Sequence, residues 1–196
     1  MSVVAKKFGA ICVVLAGTAL FPFRGLAIEL DLTPAQVFAV WTGINESLLV
    51  IARVVSNDTA WHREISEIRS KDVKDKRPAD VLGQLRKYRA KLDGLRRTAG
   101  LKPIRRFVVD GKPVTPVVVY VNSGLVLNGQ VEWLIHNTGS IQLVSQFYPT
   151  YDQVGSSERT PSHVYALVNL ANRRLAKILA KAGVSERVMP SGSAAP

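Results

Sequence analysis

Few side chains in this chain combine a reactive type with a useful spacing. Glu132 and His136 are four residues apart, so on a helix they share a face, and a carboxylate beside an imidazole is the beginning of a metal site. His62 and Glu64 are remote candidates for completing it. A di-metal centre inside a helical bundle takes Glu-x-x-His pairs from two helices, and the sequence contains no such pair. No metal is expected. The chain has 3 histidines in all, and it lacks a nucleophile elbow, a Walker loop, a His-Glu-x-x-His motif and a dinucleotide fingerprint. No catalytic residues are assigned, and the expectation is a protein that is not an enzyme. Haem has little support, because the only methionine after Met1 is Met189 in the polar tail. No cofactor is expected.

A second constellation is polar rather than reactive. Asn45, Arg89 and Asn172 each lie eleven residues after a proline. Eleven residues is about three helical turns, which brings the three to the edge of one apolar seam. Buried there, a guanidinium and two amides either satisfy one another or hold a small polar or anionic ligand. Trp41, Tyr88, Trp133 and Tyr165 would wall such a pocket.

A third candidate is a basic surface made of Arg86, Lys87, Arg96 and Arg97 on one segment and Arg173, Arg174 and Lys177 on another. No aromatic residues are interleaved with these cations in the manner of RNA-binding surfaces. The expected partner is an acidic protein or an anionic surface rather than nucleic acid.

The elements that must carry these residues follow from a phrase that occurs four times. Pro34, Pro78, Pro116 and Pro161 are each followed, three and four residues later, by Val and then by an aromatic residue or Leu. Thr before Pro is a helix-start signal: Thr can cap orphan amides, and Pro gives up an N–H that has no partner in a first turn. The apolar residues at offsets of 3, 4, 7, 14 and 17 from each proline form one stripe of a helix. The phrase recurs at spacings of 44, 38 and 45 residues. The sequence therefore predicts an all-α protein, a four-helix bundle built from four related helices. His163 falls in the slot of Gln36 and Asp80, which is a capping position. Ala99-Gly100-Leu101 and Ala182-Gly183-Val184 read as left-handed helix ends.

Between the helices, Trp61, Ile65 and Ile68 keep helical spacing after Asp58 or Thr59 and predict a short amphipathic helix. Asp110-Gly111 between apolar runs predicts a β-hairpin over 107–114. That leaves the β-branched run 117–121 open between helix and strand, and the repeat favours helix from Pro116. An apolar patch, Ile141, Leu143, Val144, Phe147 and Tyr148, is expected to pack over the bundle.

Lys6 and Lys7, the apolar stretch from Phe8 to Phe23, and Gly25-Leu26-Ala27 have the parts of a secretory signal peptide cut after Ala27. Residues 28–184 then form a single helical domain, and 185–196 a disordered tail. Cys12, the only cysteine, leaves with the leader, so no disulfide is available to the mature chain. The leader carries Lys6, Lys7 and Arg24, and the formal charge falls from +11 to +8 on its removal. The function expected is that of an exported protein of the bacterial cell envelope, in the periplasm. It would bind an envelope protein or acidic surface through its basic face, or a small polar ligand in its core.

Overall fold

The computed structural model describes residues 32–108, 113–142, 144–149 and 158–184. The expected leader, the Asp110-Gly111 turn, Leu143 and the polar tail lie outside them. The described residues are all-helical: α1 (Pro34–Val55), α2 (Thr59–Glu67), α3 (Pro78–Thr98), α4 (Pro116–Thr138), a 3-10 turn (Ser145–Phe147) and α5 (Pro161–Lys181).

Each long helix starts at the proline of the repeated phrase, but the threonines are not what caps it. In three of the four, the side chain three residues into the turn accepts the backbone N–H of the residue before the proline. Gln36 accepts from Thr33 at 2.7 Å, Asp80 from Arg77 at 2.9 Å and His163 Nδ1 from Thr160 at 3.1 Å. The histidine thus occupies the capping role that its slot implied. At the far ends Gly100 and Gly183 have φ near +68°. They let Leu101 N–H reach back to Arg96 O at 3.1 Å and Val184 N–H to Leu179 O at 2.9 Å, closing both helices with the same six-to-one bond.

The run Val117–Val121 is helical. Pro116 fixes the first turn, and Val118 and Val119 are buried, so packing overrides the strand preference of branched side chains. The expected hairpin is not supported. Phe107, Val108, Pro113 and Val114 carry no strand, and the two backbone groups a ladder would need at Phe107 are taken by one side chain. Asn122 Oδ1 accepts from Phe107 N–H at 3.3 Å, and its Nδ2 donates to Phe107 O at 3.0 Å. Pro113, which such a turn would set opposite Val108, has no N–H to offer.

The long helices all run in the same direction. The four prolines and the four valines three residues later line one shallow hollow at one end, and contacts further along pair similar heights on neighbouring helices. α1 packs between α4 and α5, and so does α3. Successive buried layers follow at offsets 3, 7, 10, 14 and 17 from the prolines, the alternating spacing of a heptad seam. The offset of ten, absent from the stripe read in the sequence, holds Ile44, Tyr88, Val126 and Ala171, all buried. Large residues face small ones within layers. Trp41 shares its layer with Ser123 and donates its indole N–H to the Ser123 hydroxyl at 2.8 Å. Tyr88 shares its layer with Ala171 and meets Trp41 edge-on at 5.3 Å.

Because the helices are parallel, each connection must run back along a helix of about 33 Å. The first does so through α2, capped by Asp58, which accepts Trp61 N–H at 3.0 Å. In the second, Ile104 is tied to α3 through Asp93 and Phe107 to α4 through Asn122. In the third, Val144 and Phe147 are buried as expected, whereas Ile141 is 70% exposed and Tyr148 40%. α1 is long and apolar enough to cross a membrane, with a mean hydropathy of 1.4 over its most apolar stretch, of which 56% is buried inside the protein.

Candidate functional site

Asn45, Arg89 and Asn172 are all buried, on the seams between helices rather than around a common space. Asn45 Nδ2 donates to Trp41 O at 2.8 Å within its own helix and to Leu167 O of α5 at 3.2 Å. Asn172 Nδ2 repeats the arrangement, with Val168 O at 3.1 Å and Gln84 O of α3 at 3.2 Å. In both cases a donor eleven residues past its proline meets a carbonyl six residues past the next one. These amides tie adjacent helices at fixed height. Arg89 occupies the equivalent place on α3, beside Arg86, Arg106 and Asp93. Its guanidinium is held below its usual pKa by burial first and by the Arg106 charge second.

Three of the four aromatic residues expected as pocket walls do other work, and Trp133 is buried with its indole N–H given to nothing among the described residues. Trp41 and Tyr88 are fully buried, and the Tyr88 hydroxyl donates to Gln130 Oε1 at 2.9 Å while Gln130 Nε2 donates to Ser47 Oγ at 2.8 Å. This chain of donors and acceptors crosses from α3 through α4 to α1. Burial pushes the Tyr88 phenol well above its usual pKa. Tyr165 sits at the rim, where it accepts from Gln84 Nε2 at 3.0 Å.

The basic list divides. Arg86, Lys87 and Arg97 are exposed on α3. Arg96 is 3% exposed and is not a surface residue. It donates to Lys102 O, to Gly129 O and to Glu132, the last at 2.7 Å. Arg174 is likewise buried; it reaches Asn45, Ser66 O and Ile68 O, each at 3.4 Å. Arg173 Nη2 donates to Arg69 O, and Lys177 pairs with Glu64. These α5 cations fasten α2 and its following turn to the body of the protein. Sequence spacing could not separate them from solvated charges, because the acceptors are mostly carbonyls of segments more than a hundred residues away.

The structure adds cations to the α3 face that sequence reasoning missed. The segment after α3 folds back along it. Ile104 N–H donates to Asp93 Oδ1 at 2.9 Å, and Ile104 packs so close to Gly129 that a Cβ there would fall 2.5 Å from Ile104 Cδ1. Arg105 and Arg106 are thereby exposed beside α3. Burial raises the Asp93 carboxyl above its usual pKa, against the pull of the Ile104 N–H and of Arg89, Arg96 and Arg97.

Glu132 and His136 lie exposed on α4, and Glu132 is the partner of Arg96. His62 is elsewhere, its Nε2 2.7 Å from Ser56 O. Among the described residues no three His, Cys, Asp or Glu side chains come together in the manner of a metal site.

A cleft of about 430 Å³, unannounced by any motif, opens between α1 and the segment around the 3-10 turn. Phe38, Thr42, Glu46, Gln146 and Arg159 line it, with the Arg159 guanidinium 4.2 Å from the centre of the Phe38 ring. Its floor depends on Gly43, where a Cβ would come within 2.0 Å of Phe147 O. No known protein-family model, curated protein or solved structure matches the chain.

Proposed function

We propose that the chain is an exported protein of the bacterial cell envelope, a parallel four-helix bundle of four related helices, which works by binding an acidic protein or anionic surface. The contact face is the outward side of α3, with Arg86, Lys87 and Arg97, joined by Arg105 and Arg106 from the segment behind it. One observation carries the reading. The 102–107 segment, tied to α3 by Ile104 N–H on Asp93 Oδ1, exposes Arg105 and Arg106 beside that helix, with Arg106 near enough to disfavour the Arg89 charge. Like charges held together by the fold repel one another, and an acidic partner relieves that repulsion. Structural ties account for Arg96, Arg173, Arg174 and Lys177 and leave Arg86, Lys87 and Arg97 as the exposed α3 cations of the list.

A ligand in the interior has less support. Asn45 and Asn172 give their amide N–H groups to helix carbonyls, and the layers between them are filled. The test is association with vesicles carrying anionic headgroups and with an acidic fraction of envelope proteins, measured as salt is raised. Exposed contacts are screened over about 8 Å at physiological ionic strength, so binding should weaken steeply. Reversing Arg86, Lys87, Arg97 and Arg106 to Glu should abolish it with helicity intact. Unchanged association of that variant would sink the proposal.

A further inference from the structure

We propose that the outward face of α4 is the interface of a twofold homodimer, in which two copies of α4 cross antiparallel at Gly124. The first ground is the distribution of charge. The chain holds 26 lysines and arginines; α3 has six of them and α4, with 23 residues, has none. A strongly basic molecule meets a copy of itself with least repulsion on that helix.

The second ground is the shape of the face. α4 contacts α1 and α3 on its inner side. Val117, Val121, Leu125 and Asn128 fall on the opposite side of a 3.6-residue helix from the buried layers, with Tyr148 at the edge of this face donating its hydroxyl to Asn128 Oδ1 at 2.8 Å. Val117, Val121 and Leu125 are half-buried and stand outside the cluster of side chains packed on the core. Phe107 and Val108, 40% and 63% exposed, extend the apolar area along one edge. At its middle is Gly124, where a Cβ would meet nothing within 4 Å among the described residues, a notch into which a side chain of a second helix fits.

The third ground decides the occupant and its orientation. The four long helices of one molecule point the same way, so their dipoles add, with roughly half a positive charge per helix at one end and half a negative charge at the other. The C-terminal end is offset partly by Arg53, Arg96, Arg97 and Lys181 in last turns, whereas at the N-terminal end the one first-turn acid is Asp80. An antiparallel second copy sets each N-terminal end beside a C-terminal one. With the crossing at Gly124, Leu125 enters the notch of the other copy and Val121 lies opposite Asn128 of the partner subunit. Val121 is then about 10 Å along the axis from its own counterpart.

Sedimentation equilibrium of the purified protein across the micromolar range tests the interface, and disulfide trapping tests the orientation. The expected result is a dimer that Leu125→Arg converts to a monomer with unchanged helicity, while Arg97→Glu leaves it dimeric. In a Cys12→Ser background, a mixture of Val121→Cys and Asn128→Cys proteins should oxidise to the mixed dimer faster than either oxidises alone. A monomer at every concentration, a dimer indifferent to Leu125→Arg, or preferential Val121→Cys self-linkage would each overturn the proposal.

Discussion

Asn172 on α5 donates its amide N–H to the backbone carbonyl of Gln84 on α3 at 3.2 Å, at the height where Asn45 on α1 does the same to Leu167 on α5. The two ties differ in one respect. Asn45 Oδ1 lies 3.4 Å from Arg174 Nη1, while Asn172 Oδ1 is buried and accepts nothing among the described residues. Losing a satisfied buried amide costs about 1–3 kcal/mol, and losing a half-satisfied one costs less. Urea unfolding should therefore rank Asn45→Leu as more destabilising than Asn172→Leu. The reverse order would mean that the ties do not act as described.

Two glycines test close approach. A Cβ on Gly43 would strike a backbone carbonyl, that of Phe147, whereas a Cβ on Gly129 would strike the end of the Ile104 side chain. Backbone cannot turn aside as a side chain can. Gly43→Ala should cost about 1–3 kcal/mol and speed proteolysis near residue 147; Gly129→Ala should be milder. Equal thermal shifts would count against this account of the cleft floor.

Arg96 and Glu132 form an asymmetric pair, 3% and 59% exposed. Glu132→Ala should cost about 0–1 kcal/mol, as for an exposed partner, because the guanidinium keeps its carbonyl acceptors. Arg96→Ala should cost about 3 kcal/mol or more, since buried acceptors lose a charged donor. A double-mutant cycle measures the coupling; a loss on Glu132→Ala as large as that on Arg96→Ala would contradict it.

Acid should act on two aspartates in opposite senses. Asp58 is held below its usual pKa by the Trp61 N–H and by Lys181, so its contribution is present above the unfolded value and is lost as pH falls through the lower folded one. Asp93 is raised by burial, so the stability gained on protonation is present below its unfolded pKa and disappears as pH rises through the folded one. Melting temperature followed from neutral pH downward should decline less in Asp58→Asn than in the parent. In Asp93→Asn, compared with the parent, the relative gain should be largest at neutral pH and shrink on acidification. Parallel curves for all three proteins would refute both assignments.

The repeated proline phrase determined much by itself. It set the four long helix starts, the capping slot of His163, the glycine ends at 100 and 183 and most buried layers, because caps and heptad spacing act within one helix. Asp58 and Trp61 likewise announced α2 locally. Direction and neighbours were decided only by tertiary packing, since a stripe looks the same in parallel and antiparallel helices. The same holds for burial of cations. Arg96 and Arg97 are adjacent in sequence, and only the return of Lys102 and the approach of Gly129 make the first a buried tie and leave the second in water. The hairpin signal at 107–114 failed for a like reason: Asn122, fifteen residues on, took the backbone groups of Phe107 that a strand partner needed.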